Sequence, residues 1–148
     1  ITWSLVGSEM CIRDRHMRGN PQSMSIHNTY HDLISDIIYD LQLKINKLKK
    51  KGLKDIIIDP GLGFAKDLNQ NYKIVTQLKS FEYLDYPILI GASRKSMIYK
   101  LLDVKPDIAL NGSTVVHTAC LLNGASILRV HDVKEAMEVI KITNLLKN

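Results

Sequence analysis

The chain has 148 residues, enough for one domain with a real core, and its 45% apolar and 24% charged content is that of an ordinary globular protein. No apolar run approaches the roughly 20 residues a membrane helix needs, and Cys11 and Cys120 stand alone, which argues against a disulfide scaffold or zinc site and for a reducing, cytoplasmic setting. A net charge of +5 raises the question of a nucleic-acid partner, but aromatics are only 6% and do not alternate with the basic residues as a base-stacking surface requires.

The opening, ITWSLVGSEMCIRDR, fits nothing downstream and lacks the basic start and small-residue cleavage site of a signal peptide. Residues 1–15 are expected to be a foreign, non-native segment resembling a translated sequencing adapter, with the domain covering 16–148. From His16 onward, short apolar strands, polar or glycine-rich turns and amphipathic helices alternate. Tyr30, Leu33, Ile34, Ile37, Ile38, Leu41, Ile45 and Leu48 recur every three or four residues, predicting one face of a long helix that Gly52 ends. Lys47, Lys49, Lys50 and Lys51 close that helix, where cations complement its dipole.

KDIIID, YPILIG and ASILRV predict strands, and unbroken apolarity over so few residues suits a parallel sheet covered by helices. A second helix is expected to open near Asn69 or Asn71, with Tyr72, Val75 and Leu78 inward. Further helices are expected over about Ser96–Leu102 and Gly112–Asn123, separated by Pro106. Asp132-Val133-Lys134-Glu135 resembles a capping box opening a last helix that buries Val133, Ala136, Met137 and Ile140. Strand ends near Asp59, Gly91 and Val130 favour an α/β fold with parallel strands and outer helices, curling as part of a barrel. A flat doubly wound sheet also fits the periodicity, without a Gly-x-Gly-x-x-Gly turn to support it.

Four polar clusters occupy the predicted strand-to-helix turns: HMRGNPQSM (16–24), DPGLGF (59–64), GASRKS (91–96) and RVHD (129–132). In a parallel sheet all four gather on one rim. Asp59 would sit at a partly desolvated mouth, where a planar amidine-like edge can engage both carboxylate oxygens. Gly61 and Gly63 permit close approach of a flat ligand, and Phe64 offers a ring to pack against it. Arg94 and Lys95 stand at a predicted helix start that favours an anion. Arg129 and His131, two apart, would point to the same side as a phosphate grip. His27 and His31 share a helical spacing, but no third ligand stands near them, and no metal site is expected.

These four motifs, in their order and spacing, resemble dihydropteroate synthase, an enzyme of folate synthesis. IIIDPGLGFAKDLNQNY, LIGASRKSMI and ILRVHDVKEAMEV carry most of the likeness, which spans residues 16 to about 142. The resemblance implies the C-terminal half of a (β/α)8 barrel and a condensation of 6-hydroxymethyl-7,8-dihydropterin diphosphate with p-aminobenzoate, releasing pyrophosphate. It implies that Asp59 holds the pyrimidine edge of the pterin, Lys95 bonds to its ring, and Gly63, Phe64 and Gly91 line its slot. Arg129 would stack across the pterin, Arg129 and His131 would border the anion pocket, and Ser93 and Ser96 would lie near p-aminobenzoate. Lys95, Arg129 and His131 are the implied catalytic residues.

Magnesium is implied as a clamp on the leaving diphosphate, with its protein ligand in the half of the barrel that this chain does not resemble. A homodimer is implied as well, and the 148-residue chain is expected to be inactive alone. The family usually places Met where Arg15 stands. Two alternatives remain open at this point: a methyltransferase-type pterin-binding barrel domain, and a noncatalytic anion-binding module.

Overall fold

The computed structural model describes residues 12–17 and 29–147. Trp3 and Cys11 of the first segment, the end of HMRGNPQSM, and His27 lie outside the described residues. In chain order the elements are β1 (Ile12–Arg15), α1 (Leu33–Lys50), β2 (Ile56–Asp59), α2 (Leu68–Thr76), a 3-10 helix (Leu78–Leu84), β3 (Leu89–Ile90), α3 (Ser96–Tyr99), a 3-10 turn (Pro106–Ile108), α4 (Leu110–Leu122), β4 (Ile127–Leu128) and α5 (Val133–Leu146). No helix among the described residues is long and apolar enough to cross a membrane.

The strands lie side by side in sequence order. β1 pairs parallel with β2 in register Ile12 to Ile56 through Arg15 to Asp59, and β3 pairs parallel with β4. A parallel bridge between Ile58 and Ile88 joins the two pairs. Sequential parallel neighbours with helices between them make an arc of a barrel; a doubly wound sheet would reverse its strand order. Residues 12–15, placed by the sequence reading in the foreign segment, thus occupy the first strand position of this arc.

α1 forms as its apolar spacing predicts. Asp32 caps it by accepting the Ser35 amide at 2.9 Å, and Leu33, Ile34, Ile37, Leu41 and Ile45 are buried. Gly52 follows in the left-handed region at φ 83°, its amide bonded to the Lys49 carbonyl. Tyr30 stands before the helix and donates its hydroxyl to the Ala65 carbonyl at 2.9 Å. In one core shared by strands and helices, Ile58, Leu62, Ile74, Leu78, Phe81, Ile88, Ile90 and Ile98 are almost fully buried. Each such side chain contributes about 1.5–3 kcal/mol by leaving water.

Several helix expectations need correction. α2 opens at Leu68 on a reciprocal capping box between Asp67 and Gln70, so Asn71 falls inside the helix and is buried. Tyr72 is half-buried on the expected stripe, while Leu78 belongs to the following 3-10 helix. α3 stops at Tyr99, short of Leu102, and Pro106 starts the 3-10 turn that leads into α4 at Leu110.

Asp132 stands at the α5 cap position but makes no side-chain cap bond, because Arg94 holds its carboxylate. α5 is also rotated from expectation: Ala136, Val139 and Thr143 are buried, Ile140 is half-buried, and Val133 and Met137 are exposed. The small Ala136 and Thr143 let α5 lie close against α4, and the bulkier Met137 turns outward.

Candidate active site

β2 ends by placing Asp59, 2% exposed, at the mouth of the arc. Its Oδ1 accepts the Gly61 amide at 2.8 Å. Its Oδ2 is buried and has no hydrogen-bond partner among the described residues. A buried carboxylate oxygen left without a donor costs free energy on the order of a few kcal/mol, so such an atom marks a place where a ligand donor fits.

The turn after Asp59 needs its glycines. Gly61 has φ 76°, and a Cβ there would stand 2.0 Å from the His16 carbonyl oxygen. Gly63 has φ 77° and lies against the aliphatic stem of Lys95, its amide bonded to Asn71 Oδ1 at 2.6 Å. Asn71 is therefore a loop anchor, a role invisible while it was read as a helix start.

Lys95 reaches back across this turn from the foot of α3. Its Nζ donates to the Leu62 carbonyl and stands 4.6 Å from the centre of the Phe64 ring. Burial pushes its pKa down to about 8; Asp59 opposes that shift, while Arg129, Arg15 and Arg13 add to it. The Lys95 ammonium, Asp59 and Arg129 thus share one electrostatic site although 70 positions separate the outermost two. Arg129 leaves β4 with its amide on the Ile90 carbonyl at 2.8 Å, and its guanidinium lies directly over Gly91. A Cβ on Gly91 would meet that guanidinium at 2.6 Å.

Phe64 differs from expectation. Arg15 places its guanidinium carbon 3.8 Å from the ring centre, so cations already lie against the ring proposed for ligand packing. Burial lowers the Arg15 pKa, and Asp59 opposes that shift.

The remaining residues form a second group on the same rim. Ser93 is buried; its Oγ accepts the His131 amide at 3.3 Å and lies 3.0 Å from His131 Nδ1. A hydroxyl that accepts the amide is free to donate its proton to Nδ1, which leaves Nε2 of the exposed His131 toward solvent. Arg94, expected to meet an anion, instead donates to Asp132 from Nε at 3.1 Å and from Nη2 at 2.5 Å. That fork holds the Asp132 carboxyl below the usual range and raises the Arg94 pKa. Arg94 has φ 54°, and Ser113 Oγ steadies it by accepting its amide at 3.0 Å while donating to the Ala109 carbonyl.

α3 has only four residues and so a small dipole, and the attraction for an anion rests on side chains rather than on this helix end. Ser96 is exposed and borders a groove of about 460 Å³ between α2 and α3 with Lys66, Asp67, Asn71, Met97 and Lys100. The structure therefore brings Asp59, Gly63, Phe64, Gly91, Lys95 and Arg129 together, sets Ser93 and His131 beside them, pairs Arg94 with Asp132, and leaves Ser96 exposed at the edge of the groove. Cys120 is buried, its thiol pushed up to about 12 by burial, and has no chemistry at this rim.

Sequence reasoning gave His16 no partner, read Asp132 only as a helix cap, and passed over Lys66. His16 is fully buried, with Nε2 3.1 Å from Asp40 Oδ2 and Nδ1 3.1 Å from Lys66 Nζ. Burial, and then the nearby Lys66 charge, push its pKa down to about 3. Its signal in the sequence was its place at the head of the polar cluster HMRGNPQSM.

The family model of pterin binding enzymes matches residues 6–131. Dihydropteroate synthase of Escherichia coli K12 is 36% identical over 138 residues, covering 92% of this chain and 48% of that protein. The crystal structure of the Yersinia pestis enzyme in a sulfonamide drug complex superposes with a TM-score of 0.91 at 35% identity, over 93% of this chain and 51% of that one. The Thermus thermophilus enzyme in complex with 4-aminobenzoate gives 0.89 at 29% identity, over 94% and 58%. The chain spans about half the length of the curated relatives it matches. On the match across residues 6–131, the chain belongs to the family of pterin binding enzymes.

Proposed function

We propose that this chain carries the pterin and diphosphate side of a dihydropteroate synthase site, whose whole protein joins 6-hydroxymethyl-7,8-dihydropterin diphosphate to p-aminobenzoate. The observation that carries the reading is the buried Oδ2 of Asp59, without a partner among the described residues and in the electrostatic reach of Lys95. The amino and ring N–H donors on the pyrimidine edge of a pterin offer this carboxylate the planar pair of hydrogen bonds it lacks. Lys95 then donates to the ring, within a slot walled by Gly63 and Gly91. The similar chains solved with 4-aminobenzoate and with 6HMPPP support the same pair of substrates.

In the reaction, the amine of p-aminobenzoate forms a C–N bond to the pterin methylene as the C–O bond to diphosphate breaks. The amine loses a proton, and diphosphate leaves with the bonding electron pair. Arg129, and His131 with Nε2 toward solvent, stabilise the charge that gathers on the leaving group. Ser93 orients His131 and stays buried. Ser96 borders the groove between α2 and α3, where p-aminobenzoate is proposed to lie.

Among the described residues no three His, Cys, Asp or Glu side chains group to hold a metal ion. The family places the protein ligand of magnesium in the half of the barrel that this chain does not resemble, so no step here passes through it. A homodimer belongs to the reading as a family implication, and a cytoplasmic setting as the expectation from the two lone cysteines.

The chain spans about half the length of its curated relatives, so by itself it is proposed to bind pterin without turning over. Fluorescence titration with 6-hydroxymethylpterin tests this. Asp59→Asn is expected to weaken binding by at least about tenfold with the fold intact, and unchanged affinity refutes the site. Rapid dihydropteroate formation by the purified chain refutes the proposed inactivity.

A further inference from the structure

The loop from Pro60 to Lys66 carries the wall of the pterin slot, yet it has no strand or helix of its own. What fixes it is a chain of three buried or half-buried polar groups. Lys66 sends its ammonium to the Gly61 carbonyl at 3.0 Å, to the Phe64 carbonyl at 2.8 Å and to His16 Nδ1 at 3.1 Å. An ammonium has three N–H donors and no acceptor, so each of these three contacts can take a donor of its own. Because Lys66 can only donate, His16 Nδ1 must be an unprotonated acceptor. Its other nitrogen, Nε2, then carries the hydrogen and gives it to Asp40 Oδ2 at 3.1 Å.

His16 also grips the loop through its backbone. Its amide donates to the Asp59 carbonyl at 2.8 Å, and its carbonyl lies where a side chain on Gly61 would have to be. The two carbonyls held by Lys66 bracket Gly63, whose Cα passes against the Lys95 stem. A shift of the clamp therefore moves the slot wall and Lys95 together.

We propose that Lys66 and His16 are positioning residues: a neutral His16, oriented by Asp40, fixes Lys66 so that its ammonium clamps both sides of the Gly63 turn and sets the width of the pterin slot. The inference rests on the pterin reading of that slot, but the clamp itself can be observed without ligand.

Nitrogen NMR of the 148-residue chain reads the clamp directly. His16 is expected as the Nε2–H tautomer, neutral at about pH 5.5, with slowed solvent exchange of the Lys66 ammonium. A Nδ1–H tautomer, or a His16 that titrates near its ordinary pH, overturns the proposal. Titration with 6-hydroxymethylpterin reads the consequence. Lys66→Met and His16→Leu, which remove the donor or the acceptor, are expected to weaken binding about tenfold. His16→Asn, whose amide oxygen can replace Nδ1, is expected to stay within about threefold of the parent.

Equal loss in His16→Asn and His16→Leu makes the role merely structural and overturns the clamp. Wild-type affinity in Lys66→Met does the same. If Asp59→Asn binds as the parent does, the pterin reading fails, and the NMR result still decides the clamp. Should His16→Leu or Lys66→Met not fold, the tautomer of the parent chain decides the matter.

Discussion

Replacing Gly91 by alanine separates binding from folding at this rim. The new Cβ would stand 2.6 Å from Arg129 Nη2, 2.9 Å from Nε and 3.1 Å from the guanidinium carbon. All three belong to the far end of a flexible side chain, so the guanidinium gives way by about 1 Å and the backbone stays in place. The φ of Gly91 is not in the left-handed region, which leaves alanine no backbone strain to bear. Stability is therefore expected to change by no more than about 0.5 kcal/mol.

Binding is another matter. A charged hydrogen bond is worth about 1.5–3 kcal/mol, and each ~1.4 kcal/mol is tenfold in affinity. Displacing Arg129 should then weaken a pterin diphosphate by roughly tenfold to a hundredfold, while 6-hydroxymethylpterin without its phosphates loses less. Urea denaturation paired with fluorescence titration of both ligands is the assay. Equal loss for the two ligands, or a large drop in stability, would refute the assignment of Arg129 to the anion.

Gly61→Ala should behave oppositely: its Cβ meets the backbone oxygen of His16 at 2.0 Å in a left-handed φ, and a loss of more than about 2 kcal/mol in urea denaturation is expected. Arg15→Met should uncover the Phe64 ring and tighten 6-hydroxymethylpterin binding a few-fold in the same titration; weaker binding would show that the guanidinium helps the ligand. Asp14→Val probes the proposal that residues 1–15 are foreign to the domain. Burial raises the Asp14 pKa and its Oδ2 lacks a partner among the described residues, so valine should raise the thermal midpoint despite losing the Lys44 contact. The last prediction concerns pH. His16 takes a proton near pH 6.5 when unfolded but only near 3 when folded, so the unfolded chain binds more protons between these values. Stability should therefore fall as pH drops from 6.5 toward 3, by up to about 1.4 kcal/mol per pH unit from this group, and His16→Asn should remove that share in urea titrations at each pH.

The parts of the fold legible in the sequence were those set by local pattern. Ile56–Asp59 reads as a buried strand because three isoleucines run together before an acid and a Pro-Gly turn, and α1 reads as a helix because its apolar residues keep one face. Asp59, Lys95 and Arg129 could be placed on one rim because each follows a strand in a parallel sheet. Partner choice was not legible. Arg94 pairs with Asp132 across 38 positions and His16 with Lys66 across 50, and no local spacing announces either bond.

The face of α5 was misread for a related reason: which side of a helix is buried depends on its neighbour, and against α4 the buried residues are Ala136, Val139 and Thr143 while Met137 is exposed. The capping box lay at Asp67 and Gln70, a pattern present in the sequence but overlooked beside the two asparagines.

The most direct test of the account is a crystal structure of the chain with 6-hydroxymethylpterin diphosphate. The pyrimidine edge should donate to Asp59 Oδ2 within about 3 Å, with Lys95 on the ring and the diphosphate against Arg129 and His131. A pterin bound elsewhere, with Asp59 Oδ2 still lacking a partner, would contradict it.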